Sequence, residues 1–336
     1  MADVARAAGC SQATVSLVLN DVREIAISSE LRARVIQTAK DLGYGQANQI
    51  RRSLLEQMRG RSLGFIVDQL ATTPEAINAI EGARQATWDQ DVTLLVAQTL
   101  GRPEREESVI ETLLAAGASG IVFMTIFTRQ VKLNPIFHQL TVPVALLNCY
   151  ASDSDYPAVI PDETTGGYDA TTVLIQAGHT RIATITGEAF MEATDARLSG
   201  YKNALARAGI SLSASYIVAG NWTPSSGYDA TRKLMSLKQP PSAIFCQNDK
   251  MAIGCLNALL DIGLRVPDDV SIIGYDDDEI CRQIRPQLTS VDLPHRSMGA
   301  LAVESLASRG TRGRQNLVKV SCAVVNRASV QRHGGG

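Results

Sequence analysis

From Leu63 onward the chain alternates short, continuously apolar runs with amphipathic stretches, and that alternation restricts the folds open to it. The runs LGFIVD (63–68), VTLLVAQ (92–98), GIVFM (120–124) and VPVALLN (142–148) are interleaved with helical patterns over 75–90 and 104–116. A second series, RIATIT (181–186), SAIFCQ (242–247) and VSIIGYD (270–276), is followed by helical patterns near 195–208, over 249–263 and around 278. Strands that are apolar throughout and joined by crossover helices build parallel sheets covered on both faces. Two such series imply two α/β lobes with a cleft between them.

Ligands of open α/β sheets sit at the carboxyl ends of the strands. The residues there are Asp68, Thr125, Asn148, Asn248, Asp249, Asp276 and Asp277. Neutral and acidic acceptors converging on one mouth, with an arginine, suit a polyhydroxyl ligand that both donates and accepts. Taken singly, Asn248, Asp249 and Asp276 read equally well as helix N-caps.

At 336 residues, 45% hydrophobic, the chain is globular and multidomain, and no apolar run approaches the roughly 18 residues of a spanning helix, so no membrane partner is expected. The amino terminus MADVARAAGC lacks the basic and then apolar pattern of a secretory signal, which predicts a cytoplasmic protein with reduced thiols. The six cysteines (10, 149, 246, 255, 281, 322) include no CxxC pair and the four histidines are scattered, so they read as core residues without a metal site. No cofactor is expected. Nor is catalysis: GxGxxG, P-loop, HExxH and GxSxG patterns are absent, the string from Gly117 to Gly120 lacks the last spacing, and Asp276 and Asp277, adjacent at a strand end, point apart. A sugar-modifying enzyme is therefore the weaker alternative. A periplasmic-type sugar-binding receptor shares the expected body but not the amino-terminal segment.

That segment carries its own signal. Residues 1–60 hold eight Lys/Arg against six Asp/Glu, whereas the whole chain has net charge −2. Val4, Ala5 and Ala8 share one face of a short helix stopped by Gly9, and Ser11 caps a second helix whose Val15, Val18 and Leu19 face inward. A third helix, capped by Ser28, carries Leu31, Val35, Ile36, Ala39 and Leu42 as its apolar stripe. Two short helices about a glycine turn suggest a helix-turn-helix, although any three-helix bundle fits the pattern alone.

The wording of the segment goes further. DVARAAGCSQATVSLVLN (3–20), followed by VIQTAKDLGY (35–44), resembles the headpiece of the LacI/GalR family of bacterial transcription regulators. The likeness continues through AGHTRIATITG, ATDARLSGYKNAL, the run QNDKMAIGCLNALLDIGLRVPDDVSIIGYDD and PQLTSVDLP, which are similar to the family's ligand domain, itself related to periplasmic sugar-binding proteins. The resemblance implies that Gln12, Ala13 and Leu17 read bases, Gln12 by pairing with adenine and the other two by apolar contact, as to a thymine methyl. Ser11, Thr14, Ser16 and Asn20 fall on phosphates or caps. Leu17 replaces a common arginine and reads alternatively as a core residue. The threonine cap that precedes Asp3 in the family is missing, which puts the family's start upstream of Met1 or leaves the first helix frayed.

In the linker (45–62), Asn48, Arg52 and Leu54 match the family's N-x-x-A-R-x-L, Arg51 replaces the alanine, and the family's proline at 46 is absent. The resemblance implies a hinge helix whose Leu54 wedges into the minor groove while Arg51, Arg52 and Arg59 meet phosphates; a plain soluble linker is the alternative. For the effector it implies Arg197, Asn248, Asp276, Asn148 and Trp222, the tryptophan stacking on a sugar ring or merely filling the core. ATTPEA replaces the aromatic N-P-F-F of many relatives, so the stacking pair is lost at Glu75 and Ala76, leaving Thr72, Thr73 and Pro74 beside Thr125 as first-lobe candidates. Leu293 stands where a glutamine is common.

The expected fold is thus α/β: a three-helix helix-turn-helix headpiece over 1–44, a hinge over 45–60, and a two-lobed periplasmic-binding-protein-like body over 61–336. Lobe one takes about 61–160 plus 291–320, and lobe two about 161–290 plus the carboxyl-terminal strand. The expected protein is a homodimeric repressor of a sugar-utilisation operon. It binds palindromic operator DNA under control of a small-molecule effector, a sugar, in the cleft. With no leucine heptad after Ala328, no coiled-coil tetramer is expected.

Overall fold

The structure, a computed structural model, describes residues 2–19, 27–41, 62–70, 74–88, 91–307 and 317–333. Two compact units divide the chain, residues 1–61 with 87–92, and 62–86 with 93–336.

In the first unit α1 (Ala2–Ala8), α2 (Gln12–Leu19) and α3 (Ser29–Asp41) surround a small core of Val4, Ala5, Ala8, Val15, Val18, Val35 and Ala39. Short side chains bring the helices close, which suits a domain with little area to bury. Ser11 Oγ accepts the Thr14 N–H at 3.1 Å and Ser28 Oγ accepts that of Leu31 at 3.2 Å, so both caps form. Ile36 departs from the expected stripe: it is 39% exposed, on the edge of α3 away from Val35 and Ala39. Leu42 lies outside the described residues.

The second unit holds two six-stranded sheets. The first runs β11-β5-β4-β3-β1-β2, all parallel, from β1 (Ser62–Val67), β2 (Thr93–Gln98), β3 (Ala118–Gln130), β4 (Val144–Tyr150), β5 (Ala158–Pro161) and β11 (Leu317–Val320). Helices α4 (Pro74–Trp88) and α5 (Pro103–Ala115) make its crossovers. The second sheet runs β12-β10-β9-β8-β6-β7, from β6 (Ile182–Thr186), β7 (Ile217–Ala219), β8 (Ala243–Cys246), β9 (Ser271–Asp276), β10 (Thr289–Asp292) and β12 (Val324–Val325). Its helices are α6 (Glu163–Gln176), α7 (Glu192–Arg207), α8 (Pro224–Met235), α9 (Asp249–Asp261) and the single turn α10 (Ile280–Gln283).

The all-parallel expectation fails at one edge, where β12 pairs antiparallel with β10. A strand of two residues at a sheet edge has no crossover helix to oblige it to run parallel. The chain passes between the sheets three times: from β5 into α6, from β10 into α11 (His295–Ser305), which packs on β4 and β5, and from β11 to β12. Three crossing strands put the carboxyl ends of both sheets on one cleft.

Between β5 and β10, five elements escaped the periodicity. The strands β5, β7 and β10 are four residues or fewer, and α6 and α8 carry glycines and threonines on their buried faces in place of an aliphatic stripe. Among the described residues no helix is long and apolar enough to cross a membrane.

Candidate functional site

The cleft is best built from its most costly component, a buried cation. Arg197 on α7 is 4% exposed. It faces Glu163, the first residue of α6, in a two-pronged pair: Nε to Oε2 at 2.6 Å and Nη2 to Oε1 at 3.0 Å. The pair exists because α6 and α7 cross very closely. A Cβ on Gly167 would stand 2.3 Å from the Arg197 carbonyl oxygen, so only glycine admits that approach.

The guanidinium lies 3.6 Å above the Tyr275 ring and donates through Nη1 to the Gln247 carbonyl; the same nitrogen is 3.5 Å from Asp276 Oδ1. Burial alone would lower the Arg197 pKa, but attraction to Glu163, Tyr275 and Asp276 raises it, so the cation is permanent. Most of its donors are spent inside the protein.

Asp276 ends β9 with φ of +107°. Burial pushes its carboxyl well above the usual range, Arg197 opposes the shift, and Asp249, Glu75 and Asp278 add to it. Its charge is thus only partly compensated by Arg197.

Beside them on the same lobe stands Trp222, also in the left-handed region at φ +65°, its ring centroid 5.6 Å from the Arg197 guanidinium. Gly187 makes room for the indole, since a Cβ there would fall 1.8 Å from Trp222 Cζ2. Asn248 caps α9 by accepting the Met251 N–H at 2.8 Å and holds the Trp222 carbonyl through Nδ2 at 3.1 Å. Cap and cleft residue are thus the same side chain. Asn148, at φ +56°, is tied by Nδ2 to the carbonyls of Thr125 and Ile126 and accepts the Thr128 hydroxyl at 2.6 Å. Non-glycine residues rarely adopt positive φ, and three such residues on one cavity wall point to a functional constraint.

Arg197, Asp276, Asn148, Asn248 and Trp222 line one cavity of about 580 Å³, solvent at its mouth included, with Glu75, Glu163, Lys250 and His295. Thr125 is not among the lining residues: it is buried, and its hydroxyl donates to the carbonyls of Phe127 and Asn148 beneath the cleft floor.

The other strand-end acids brace the wall. Asp68 accepts the Ile126 N–H at 2.8 Å and pairs with Arg129 at 3.0 Å. Asp249 accepts from Ser290 and from the Asp278 N–H, and Asp277 sits between Arg282 at 2.7 Å and Arg327 at 2.5 Å. Thr72, Thr73 and the Pro74 side chain lie outside what is described.

Four contributors went unread in the sequence. Glu163 follows an unrecognised strand, Tyr275 passes for a core residue in an apolar run, and His295 looks like one of four scattered histidines. Glu75 is visible only as a lost aromatic. His295 is 2% exposed, its Nε2 has no hydrogen-bond partner among the described residues, and burial followed by the charge of Arg197 lowers its pKa to about 3, so the ring is neutral.

In the headpiece Gln12 is exposed at the start of α2, Ser11 is spent as a cap, and Thr14 is half-buried with its hydroxyl 2.9 Å from that of Ser11. The side chains of Ala13, Ser16 and Leu17, and residues Asn20, Asn48, Arg51, Arg52 and Leu54, lie outside the described set.

Residues 1–46 match the family description "Bacterial regulatory proteins, lacI family", and residues 171–330 match "Periplasmic binding protein-like domain". The ribose operon repressor of Escherichia coli (strain K12) is 33% identical over 311 residues, 93% of each chain. The chain belongs to the LacI family. It is a DNA-binding transcriptional regulator with a ligand-binding body. Other LacI family relatives include the HTH-type transcriptional repressor PurR of Vibrio vulnificus (strain CMCP6), 32% identical over 91% of this chain and 90% of that one. Among solved structures, the transcriptional regulator CelR in complex with cellobiose is 27% identical with a TM-score of 0.66, covering 97% of this chain and 98% of its own. The Escherichia coli repressor ascG is 29% identical with a TM-score of 0.67, over 81% and 99% respectively.

Proposed function

We propose that this LacI family regulator is a cytoplasmic, homodimeric repressor of a sugar-utilisation operon, released from or fixed to its operator by a carbohydrate in the cleft. The headpiece (1–44) reads the operator, the hinge (45–60) reports the spacing of the two heads, and the body (61–336) binds effector and partner subunit. What carries the reading is that Arg197, Asp276 and the Trp222 ring line one cavity together: a donor, an acceptor and an aromatic face. A sugar offers hydroxyls to the first two and CH groups to the third. The names of the relatives, a ribose operon repressor and a regulator bound to cellobiose, support the same class. Asn148 and Asn248 complete the set in this reading, whereas Thr72, Thr73 and Thr125 are secondary.

Effector bound to both lobes stabilises one lobe orientation, changes the separation of the hinges, and so alters operator affinity by about 1–3 kcal/mol, or 5- to 150-fold. On the DNA, Gln12, Ala13 and Leu17 read bases while Ser11, Thr14, Ser16, Asn20, Asn48, Arg51 and Arg52 position the head and hinge, and Leu54 wedges into the minor groove.

Selection from random duplexes, followed by gel shifts against a sugar panel, tests the whole reading. Selected sites should be two-fold symmetric. At least one sugar should alter retention by the wild type but not by Arg197→Ala or Asp276→Ala. Asymmetric sites, or sugar responses unchanged in both variants, sink it. Gln12→Ala should lose preference for the selected site over random DNA.

A further inference from the structure

Two hydrogen bonds cross from one lobe to the other beside the cavity. Glu192, the first residue of α7 in lobe two, accepts the backbone N–H of Gln130 on Oε1 at 2.8 Å and the Tyr150 hydroxyl on Oε2 at 2.9 Å. Gln130 and Tyr150 are the last residues of β3 and β4, in lobe one. Both oxygens of one lobe-two carboxylate are therefore spent on the opposite lobe.

The lobe-one side of this contact is tied into a single unit. Gln130 and Tyr150 pair in register at the end of the sheet, the Tyr150 carbonyl accepts the Val131 N–H at 2.8 Å, and Gln130 Nε2 donates to Ser152 Oγ at 2.9 Å. On the other side Glu192 opens the helix that carries Arg197, five residues further on, or roughly 7.5 Å along the axis. An acid in the first turn of a helix has a simpler use, offsetting the positive end of the helix dipole. Here both oxygens reach lobe one instead, and Met191 at the N-cap supplies no side-chain bond.

The chain neighbours of all three residues line the cavity: Met191 and Ala193 on either side of Glu192, Thr128 two residues before Gln130, and Asn148 two before Tyr150. The contact thus joins the very segments that form the two walls.

We infer that Glu192 is a latch, a positioning residue that holds α7 against the ends of β3 and β4, favours the closed arrangement of the lobes, and so sets the effector concentration at which the regulator responds. Bonds to a carboxylate are stronger than neutral ones, and the exposure of Glu192 and Gln130 weakens them. Together the two should shift the closed-to-open ratio about tenfold. A ligand that touches both walls binds the closed form better, so its apparent affinity follows the closed fraction. Glu192 acts on that affinity through α7, without touching the ligand.

The regulatory half of this inference rests on the cleft being the effector site, whereas the latch is testable without an effector. In the full chain with Trp88→Phe, Trp222 on the cavity wall is the one tryptophan, and its quenching by acrylamide follows the fraction of open cleft. Glu192→Ala is expected to raise the quenching constant at least ~3-fold, with a cooperative melting curve showing that the variant is folded. Tyr150→Phe and Glu192→Gln each keep an acceptor for the Gln130 N–H and should fall between Glu192→Ala and the parent. Calorimetric titration with glucose, galactose and ribose follows, and a sugar bound by the parent should bind Glu192→Ala about 3-fold more weakly. Quenching unchanged in Glu192→Ala overturns the latch, whatever the sugars do. Raised quenching with an unchanged sugar affinity overturns its regulatory role. Raised quenching with none of the sugars bound by the parent upholds the latch and counts against the sugar reading of the cleft.

Discussion

Replacing Glu163 by Gln removes a charge from a pair whose side chains are 6% and 4% exposed, and leaves Arg197 buried. Breaking one partner of a buried ion pair costs about 3–5 kcal/mol, because the surviving ion has neither water nor countercharge. Asp276 Oδ1, already 3.5 Å from Nη1, can take over part of the role, which places the expected loss near the lower end, about 3 kcal/mol. At roughly 2–4 °C per kcal/mol the melting midpoint should fall by about 6–12 °C. Removing both charges should be milder. In Glu163→Leu/Arg197→Met the ions are gone together, and what remains is mainly the Gln247 carbonyl left without its donor, about 1–3 kcal/mol. Urea unfolding followed by circular dichroism on the wild type, Glu163→Leu, Arg197→Met and the double variant closes the cycle, with Glu163→Gln measured beside them. A Glu163→Gln protein within 0.5 kcal/mol of wild type, or a double variant as unstable as the two singles summed, would refute the view that Arg197 is held by compensation of charge.

Gly187→Ala should push the Trp222 indole out of its slot, since the added methyl overlaps the ring. In a Trp88→Phe background, Trp222 is the only tryptophan, and its emission should shift together with a loss of sugar binding while stability falls by only about 1–3 kcal/mol. An unchanged emission spectrum contradicts the packing. His179 gives a pH test: its ring nitrogens lie 2.9 and 3.0 Å from the Ser242 and Ser271 hydroxyls, and burial, then the neighbouring His333, lowers its pKa from 6.5 to about 4. The unfolded chain takes up the proton first, so the stabilisation is complete above pH 6.5 and is lost as pH falls toward 4. Relative to His179→Gln, the wild-type advantage should therefore shrink by about 1.4 kcal/mol per pH unit below 6.5, read from urea midpoints at several pH values. A difference that stays constant between pH 7.5 and 5 would show that His179 is not held neutral.

Polarity and period were enough to read the two α/β lobes and the cleft, because β1, β3, β4, β6, β8 and β9 are buried strands whose apolar runs have few other uses. The polar residues that follow them mark the strand ends. Their separate roles were not readable there. Asp276 and Asp277 are chemically alike and adjacent, yet one faces the cavity beside Arg197 and the other is neutralised by Arg282 and Arg327, a distinction set by backbone angles and by an arginine fifty residues further on. Glu163 could not be paired with Arg197 from spacing, since thirty-four residues and a close helix crossing separate them. Local composition decides which face of a strand or helix is buried. Which charges meet depends on how distant segments pack, and that is where this cleft acquires its chemistry.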